Sequence, residues 1–237
     1  SVDISFASLA AGGEPPPYDS RRPFRGLSPF LFEDREFFFG RDQLVADLRK
    51  RLRSHPFLAI LGRSGSGKSS LVFAGLIPDL LKDDPALVWA SFRPGETPID
   101  ALETALAALP DTGGLLVADQ FEEIFTHTRE KSVRCDFFDR LTAETTRRQV
   151  LITMRAEFLA DCAEHAGLGQ LVQERQHLIS PMSAEELRHA TEAQTNRVGF
   201  RFEAGLAAAI IEEIRDEPGA MPLLQHALLE LWNRRHG

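Results

Sequence analysis

Gly62-Arg63-Ser64-Gly65-Ser66-Gly67-Lys68-Ser69 is the stretch on which the reading of this chain turns. It has the form G-x-x-x-x-G-K-[S/T]. Glycines let the backbone curl so that successive N–H groups aim at phosphate oxygens, the lysine reaches the terminal phosphates, and the serine hydroxyl ligates magnesium. The setting is the one this chemistry needs: the apolar residues 57–61 read as a short buried strand, and a helical pattern follows to about residue 81. Gly62, Arg63, Ser64, Gly65, Ser66, Gly67, Lys68 and Ser69, with Ser70 beside them, are therefore expected to hold the phosphates of a purine nucleotide, ATP or ADP, with Mg2+.

Outward from the loop, strands alternate with helices. Apolar runs at 87–92, 115–119, 150–154 and 177–180 read as further strands, and 99–109, 133–147 and 156–165 as helices. Such alternation predicts an α/β fold with a parallel sheet covered on both faces. From Ser183 the strand pattern stops. Ser183 with Glu186 makes a capping box, and helices are expected at about 203–215 and 222–235, the last starting on Pro222 and carrying the apolar stripe Leu224, Leu228, Leu231 and Trp232. Upstream, 24–39 is rich in phenylalanine, and Asp42 opens a helix with Leu44, Val45, Leu48 and Leu52 on one face. Residues 1–23, containing Gly-Gly-Glu-Pro-Pro-Pro at 12–17, read as a linker. The expected division is thus a linker at 1–23, an α/β domain at 24–181 and a helical subdomain at 182–237. Since the sequence begins with Ser rather than Met, it reads as a piece of a longer protein.

A phosphate loop requires an acid at the end of another apolar strand. Leu115-Leu116-Val117-Ala118-Asp119 supplies it, so Asp119 is the second expected magnesium ligand after Ser69. In the continuation Gln120-Phe121-Glu122-Glu123, either Glu122 or Glu123 has the position to polarise an attacking water; both also suit the positive end of a helix dipole. Arg155, at the end of the strand at 150–154, places a cation near the γ-phosphate, where it would sense or stabilise charge.

Composition narrows the classes further. The 237 residues are 43% hydrophobic and 26% charged, those of an ordinary globular protein, with no apolar run long enough to span a bilayer and no signal-peptide pattern. The chain is expected in the cytoplasm, without a membrane partner. Two cysteines, Cys135 and Cys162, make neither a disulfide scaffold nor a metal cluster. A formal charge of −8 disfavours a nucleic-acid partner. Only four of the 27 basic residues are lysines, and Lys68 in the loop is one of them. No Asn-Lys-x-Asp guanine motif, Leu-Ser-Gly-Gly-Gln signature or His-Arg-Asp kinase loop is present.

Taken in order, these blocks resemble the STAND class of signal-transduction ATPases, related to NACHT and AAA+ domains, and within it the bacterial group called novel STAND NTPase 1. The resemblance runs from about Phe24 to Arg235. It rests on Phe24-Arg25-Gly26-Leu27-Ser28-Pro29-Phe30, Phe37-Phe38-Phe39-Gly40-Arg41-Asp42, the loop at 62–70, Asp119-Gln120-Phe121-Glu122-Glu123, Thr153-Met154-Arg155-Ala156-Glu157-Phe158 and Glu217-Pro218-Gly219-Ala220-Met221-Pro222 with the helix after it. The resemblance implies that Phe39, Gly40 and Arg41 border the adenine, that Pro222 packs on base or ribose in a helical lid, that Arg155 is a sensor arginine, and that the sheet order is 5-1-4-3-2. It also implies an upstream effector, a downstream winged helix with sensing repeats, and self-association on activation, in signalling or bacterial defence. Arg63 departs from the small residue or proline that relatives often carry. The expected activity is an ATP/ADP switch with slow magnesium-dependent hydrolysis. Its rivals are a fast AAA+-type ATPase acting on nucleic acid or protein, and a scaffold that binds nucleotide without cleaving it.

Overall fold

The computed structural model describes residues 7–8, 22–203, 205–214 and 220–234. The apolar runs form one parallel sheet of five strands: β1 (Phe57–Gly62), β2 (Trp89–Phe92), β3 (Leu115–Ala118), β4 (Gln149–Arg155) and β5 (Gln176–Leu178). Their order, β2-β3-β4-β1-β5, is the expected 5-1-4-3-2. Every residue of β1 and β3 is buried, which explains why these runs are continuously apolar rather than alternating: both faces of the sheet are covered.

The helices are α1 (Asp42–Ser54), α2 (Lys68–Ser70), α3 (Ile77–Asp83), α4 (Pro98–Ala107), α5 (Glu123–His127), α6 (Lys131–Glu144), α7 (Leu159–Cys162), α8 (Ala166–Glu174), α9 (Ala184–Arg197), α10 (Leu206–Ile214) and α11 (Ala220–Asn233). A π-helical stretch, Leu71–Leu76, joins α2 to α3 in one run. Pro78 accounts for its width. It has no N–H for the carbonyl of residue 74 and its ring crowds that carbonyl, so the turn before it opens.

By compactness the described chain divides into two units. One, within 44–64 and 76–180, holds the sheet. Its core joins Ala59, Leu61, Leu116 and Ile152 to the phenylalanines Phe121, Phe137 and Phe138. The other comprises described residues within 1–43, 65–75 and 181–237. Here Phe24, Phe30 and Phe37 pack with Leu187, Ile211, Leu224, Leu228 and Trp232. Buried amides fix the aromatic segment in place: Gln194 Nε2 donates to the Phe37 carbonyl at 2.9 Å, and Gln225 Nε2 to Gln194 Oε1 at 3.0 Å. The Ser183–Glu186 capping box forms as expected, with both of its hydrogen bonds.

Several local expectations are corrected. Ala7–Ser8, within the stretch read as a linker, pairs antiparallel with Phe200–Arg201, so the strand pattern does not stop at Ser183 either. Pro222 is the third residue of α11, not its first; a proline fits there because the first-turn N–H groups have no partner within the helix. The single helix expected at 156–165 is a short 3-10 turn, Ala156–Phe158, followed by α7. Helix α8 was not expected, because Gly167 and Gly169 weaken the pattern. Gly169 is needed for packing: a Cβ there would meet Ala163 Cα at 3.1 Å and the Cys162 carbonyl at 3.2 Å. His165 caps this helix through its ring, accepting from the Leu168 N–H at 3.1 Å.

Candidate functional site

The phosphate loop leaves the end of β1 and enters α2. Gly65 and Gly67 sit at φ +72° and +83°, a region open to glycine and strained for other residues. A Cβ on Gly67 would meet nothing within 4 Å, so it is the positive φ rather than crowding that calls for glycine there. The N-cap of the helix is Gly67, which has no side chain to bond the first-turn N–H groups. Ser66 Oγ is shielded from solvent and has no hydrogen-bond partner among the described residues. Lys68 is buried, Ser69 half-buried, and Arg63 and Ser64 are exposed. The Ser70 hydroxyl accepts the Phe30 N–H at 3.1 Å and keeps its own O–H as a donor. These features fit the phosphates of a nucleotide, and a serine hydroxyl and an aspartate carboxylate, as Ser69 and Asp119 carry, are oxygens of the hard type that magnesium favours.

The sheet register aligns the remaining chemistry. Gly62, first residue of the loop, pairs with Arg155 of β4, and Ala118 pairs with Ile152, which sets Asp119 level with Thr153. All lie at the carboxyl ends of parallel strands, where ligands of open α/β sheets bind. Just past β3, Gln120 adopts φ +53° and turns the chain sharply. The turn is fastened to β4: Phe121 N–H donates to the Thr153 carbonyl at 2.8 Å and Gln120 N–H to Thr153 Oγ1 at 3.0 Å. The ring of Phe121 is fully buried in the phenylalanine cluster, anchoring the acidic segment from below.

Each acid of that segment has its own partner. The Thr153 hydroxyl donates to Asp119 Oδ1 at 2.7 Å, and Arg93 Nε lies 3.5 Å from Asp119 Oδ2. Glu122, 8% exposed, accepts the Arg155 N–H at 3.2 Å and stands 3.2 Å from the Arg155 Nε. Glu123 accepts the Gly95 N–H at 3.2 Å. The two glutamates thus diverge: Glu122 turns to β4, the neighbour of the strand that carries the loop, whereas Glu123 turns to the segment that follows β2. Thr153, Arg93 and Gly95 were not singled out from sequence. Thr153 alone had a legible signal, a hydroxyl in an otherwise apolar strand.

Phe39, Gly40, Arg41 and Pro222, the residues expected around the base, all fall in the helical unit. Gly40 (φ +83°) is pressed against the start of α9, where a Cβ would lie 2.7 Å from the Glu186 carbonyl and 2.8 Å from Met182 Cε. Arg41 Nη1 stands 3.7 Å from Glu186 Oε1; burial pushes its guanidinium below the ordinary arginine value and Glu186 acts the other way. Phe39 and Pro222 are half-buried.

Comparison with known proteins agrees with this architecture. No curated protein matches the sequence. Among solved structures, domain III of the replication initiation protein DnaA from Thermotoga maritima superposes with TM-score 0.60 at 12% identity, over 88% of this chain and 92% of that one. A Walker-type ATPase of Pyrococcus abyssi gives 0.59 at 11% identity, over 90% and 72%. The Aeropyrum pernix Orc1 protein in complex with DNA gives 0.62 at 15% identity, over 90% of this chain and 66% of that one. At such identities the likeness is one of fold, that of a Walker-type ATPase. Among the described residues no helix is long and apolar enough to cross a membrane. The sequence profile of the family described as Novel STAND NTPase 1 matches residues 23–237, nearly the whole length, and the chain belongs to that family of NTPases.

Proposed function

We propose that this chain is the nucleotide-binding switch of a signal-transduction ATPase, acting in the cytoplasm, in which bound ADP holds a resting state and exchange for ATP permits self-association and activation of a linked effector. Backbone N–H groups of the loop and Lys68 would bind the phosphates, and Phe39, Gly40, Arg41 and Pro222 would border base and ribose. Ser69 and Asp119 would hold magnesium, which supplies charge neutralisation at the β- and γ-phosphates. Glu122 is the better candidate than Glu123 for polarising the attacking water, because its carboxylate sits on the β4 tip beside the strand that carries the loop.

The observation that carries the reading is the Glu122–Arg155 pair, level with the first residue of the phosphate loop. A carboxylate already bonded to a guanidinium and an N–H is a restrained base, which fits slow hydrolysis. A γ-phosphate competing for Arg155 would loosen that pair and so report the nucleotide state. Sedimentation velocity of the protein loaded with Mg·ADP and with a non-hydrolysable Mg·ATP analogue tests the switch: different shape or assembly is expected, and identical behaviour in both would exclude it. The fast AAA+-type ATPase remains the second reading, favoured by the folds of DnaA domain III and Orc1; rapid turnover stimulated by DNA would support it instead.

A further inference from the structure

Resting on that reading of Asp119, we propose that Arg93 is a stand-in cation for magnesium: it neutralises Asp119 while the metal is absent and yields the carboxylate to Mg2+ when metal and nucleotide enter. Asp119 is almost fully enclosed, its side chain 3% exposed, and a carboxylate taken out of water requires a compensating charge. One oxygen, Oδ1, is occupied by the Thr153 hydroxyl at 2.7 Å. The other, Oδ2, faces Arg93 Nε at 3.5 Å, a charge contact longer than the 2.7–3.2 Å of an N–H···O bond. The guanidinium therefore attends the Asp119 carboxylate without being bound tightly to it.

Two further features suit Arg93 to give way. Its side chain is 51% exposed, so leaving Asp119 returns the guanidinium to solvent at small cost. Its backbone is held independently of that contact, since Pro94, next in the chain, is buried and the Gly95 N–H is bonded to Glu123. The side chain can swing while its loop stays in place. A dication near Asp119 repels the guanidinium, so metal entry costs the Arg93 contact. Arg93 thus acts through Asp119, as a positioning residue, and it weakens metal binding by the worth of the pair it forms.

The test is a magnesium titration of fluorescent N-methylanthraniloyl-ADP binding to the wild-type chain, Arg93→Ala, Arg93→Gln and Arg93→Lys, with a parallel series in EDTA. Removing a half-exposed ion pair should lower the half-saturating Mg2+ concentration about two- to fivefold in Arg93→Ala and Arg93→Gln. Affinity in EDTA should stay near wild type, and Arg93→Lys should restore the wild-type magnesium midpoint. An unchanged or raised midpoint in both neutral variants overturns the proposal. So does equal loss of affinity with and without metal, which would make Arg93 a phosphate contact. If instead the wild-type protein shows no magnesium dependence and Asp119→Asn changes nothing, the magnesium reading of Asp119 itself has failed, and the inference falls with it.

Discussion

Thr153→Val removes one hydroxyl at almost constant volume, and the structure sets what that should cost. The Thr153 side chain is completely buried; it donates to Asp119 Oδ1 at 2.7 Å and accepts from the Gln120 N–H at 3.0 Å. Losing a hydrogen bond to an ionised acceptor costs about 1.5–3 kcal/mol, and stranding a backbone N–H adds about 1 kcal/mol, so the sum is about 2.5–4 kcal/mol. Gln120 at φ +53° depends on this bond to hold an unfavourable backbone conformation, which argues for the upper part of that range. For a chain of this size each kcal/mol lowers the melting temperature by about 2–4 °C, giving a fall of about 5–16 °C. The assay is thermal unfolding of nucleotide-free protein followed by far-UV circular dichroism, with Thr153→Ser beside it. Serine keeps the hydroxyl and loses one buried methyl, about 1 kcal/mol, so it should fall by only about 2–4 °C. A valine variant melting within about 2 °C of wild type, or a serine variant as damaged as the valine one, would refute the claim that this hydroxyl fastens the acidic turn.

The other predictions are independent of it. Glu122→Gln should abolish ATP hydrolysis while leaving ATP binding intact, and Glu123→Gln should keep most of the activity; the reverse pattern in a phosphate-release assay would move the base to Glu123. Gly40→Ala should lower stability by about 2 kcal/mol or more in urea unfolding, since it adds a Cβ 2.7 Å from the Glu186 carbonyl at φ +83°, and a neutral result would mean that this turn relaxes freely. Burial, with the Asp161 charge assisting, pushes the Cys162 thiol from its usual 9.0 up to about 12. The unfolded chain therefore ionises first, and Cys162 should contribute falling stability as pH rises from 9.0 toward about 12. In the native protein at pH 9, Cys162 should resist alkylation that it undergoes in guanidinium, as peptide mass spectrometry would read.

The parts of this molecule that were legible in its sequence are those where one residue type does one job. The loop at 62–69 and the acid closing an apolar run at Asp119 depend on local chemistry, and the all-buried β1 and β3 made their strands plain as continuous apolar runs. What stayed hidden depends on register or packing. Arg93 reaches Asp119 because β2 and β3 pair, a relation that spacing along the chain does not reveal. Glu122 and Glu123 are adjacent, and only the opposite partners that they find separate their roles. In α8 the helical signal was masked by Gly169, a glycine selected for close approach rather than for a turn. The π-helical stretch was not foreseen because the pattern reads as one regular helix to about residue 81, whereas the turn before Pro78 widens to admit that proline.

The most direct test of the central claim is to denature the purified chain and identify any released nucleotide by ion-exchange chromatography, with Lys68→Ala in parallel. A nucleotide-held switch predicts ADP released from the wild-type protein and none from the variant. Empty wild-type protein that also fails to bind added ADP or ATP with magnesium would contradict it.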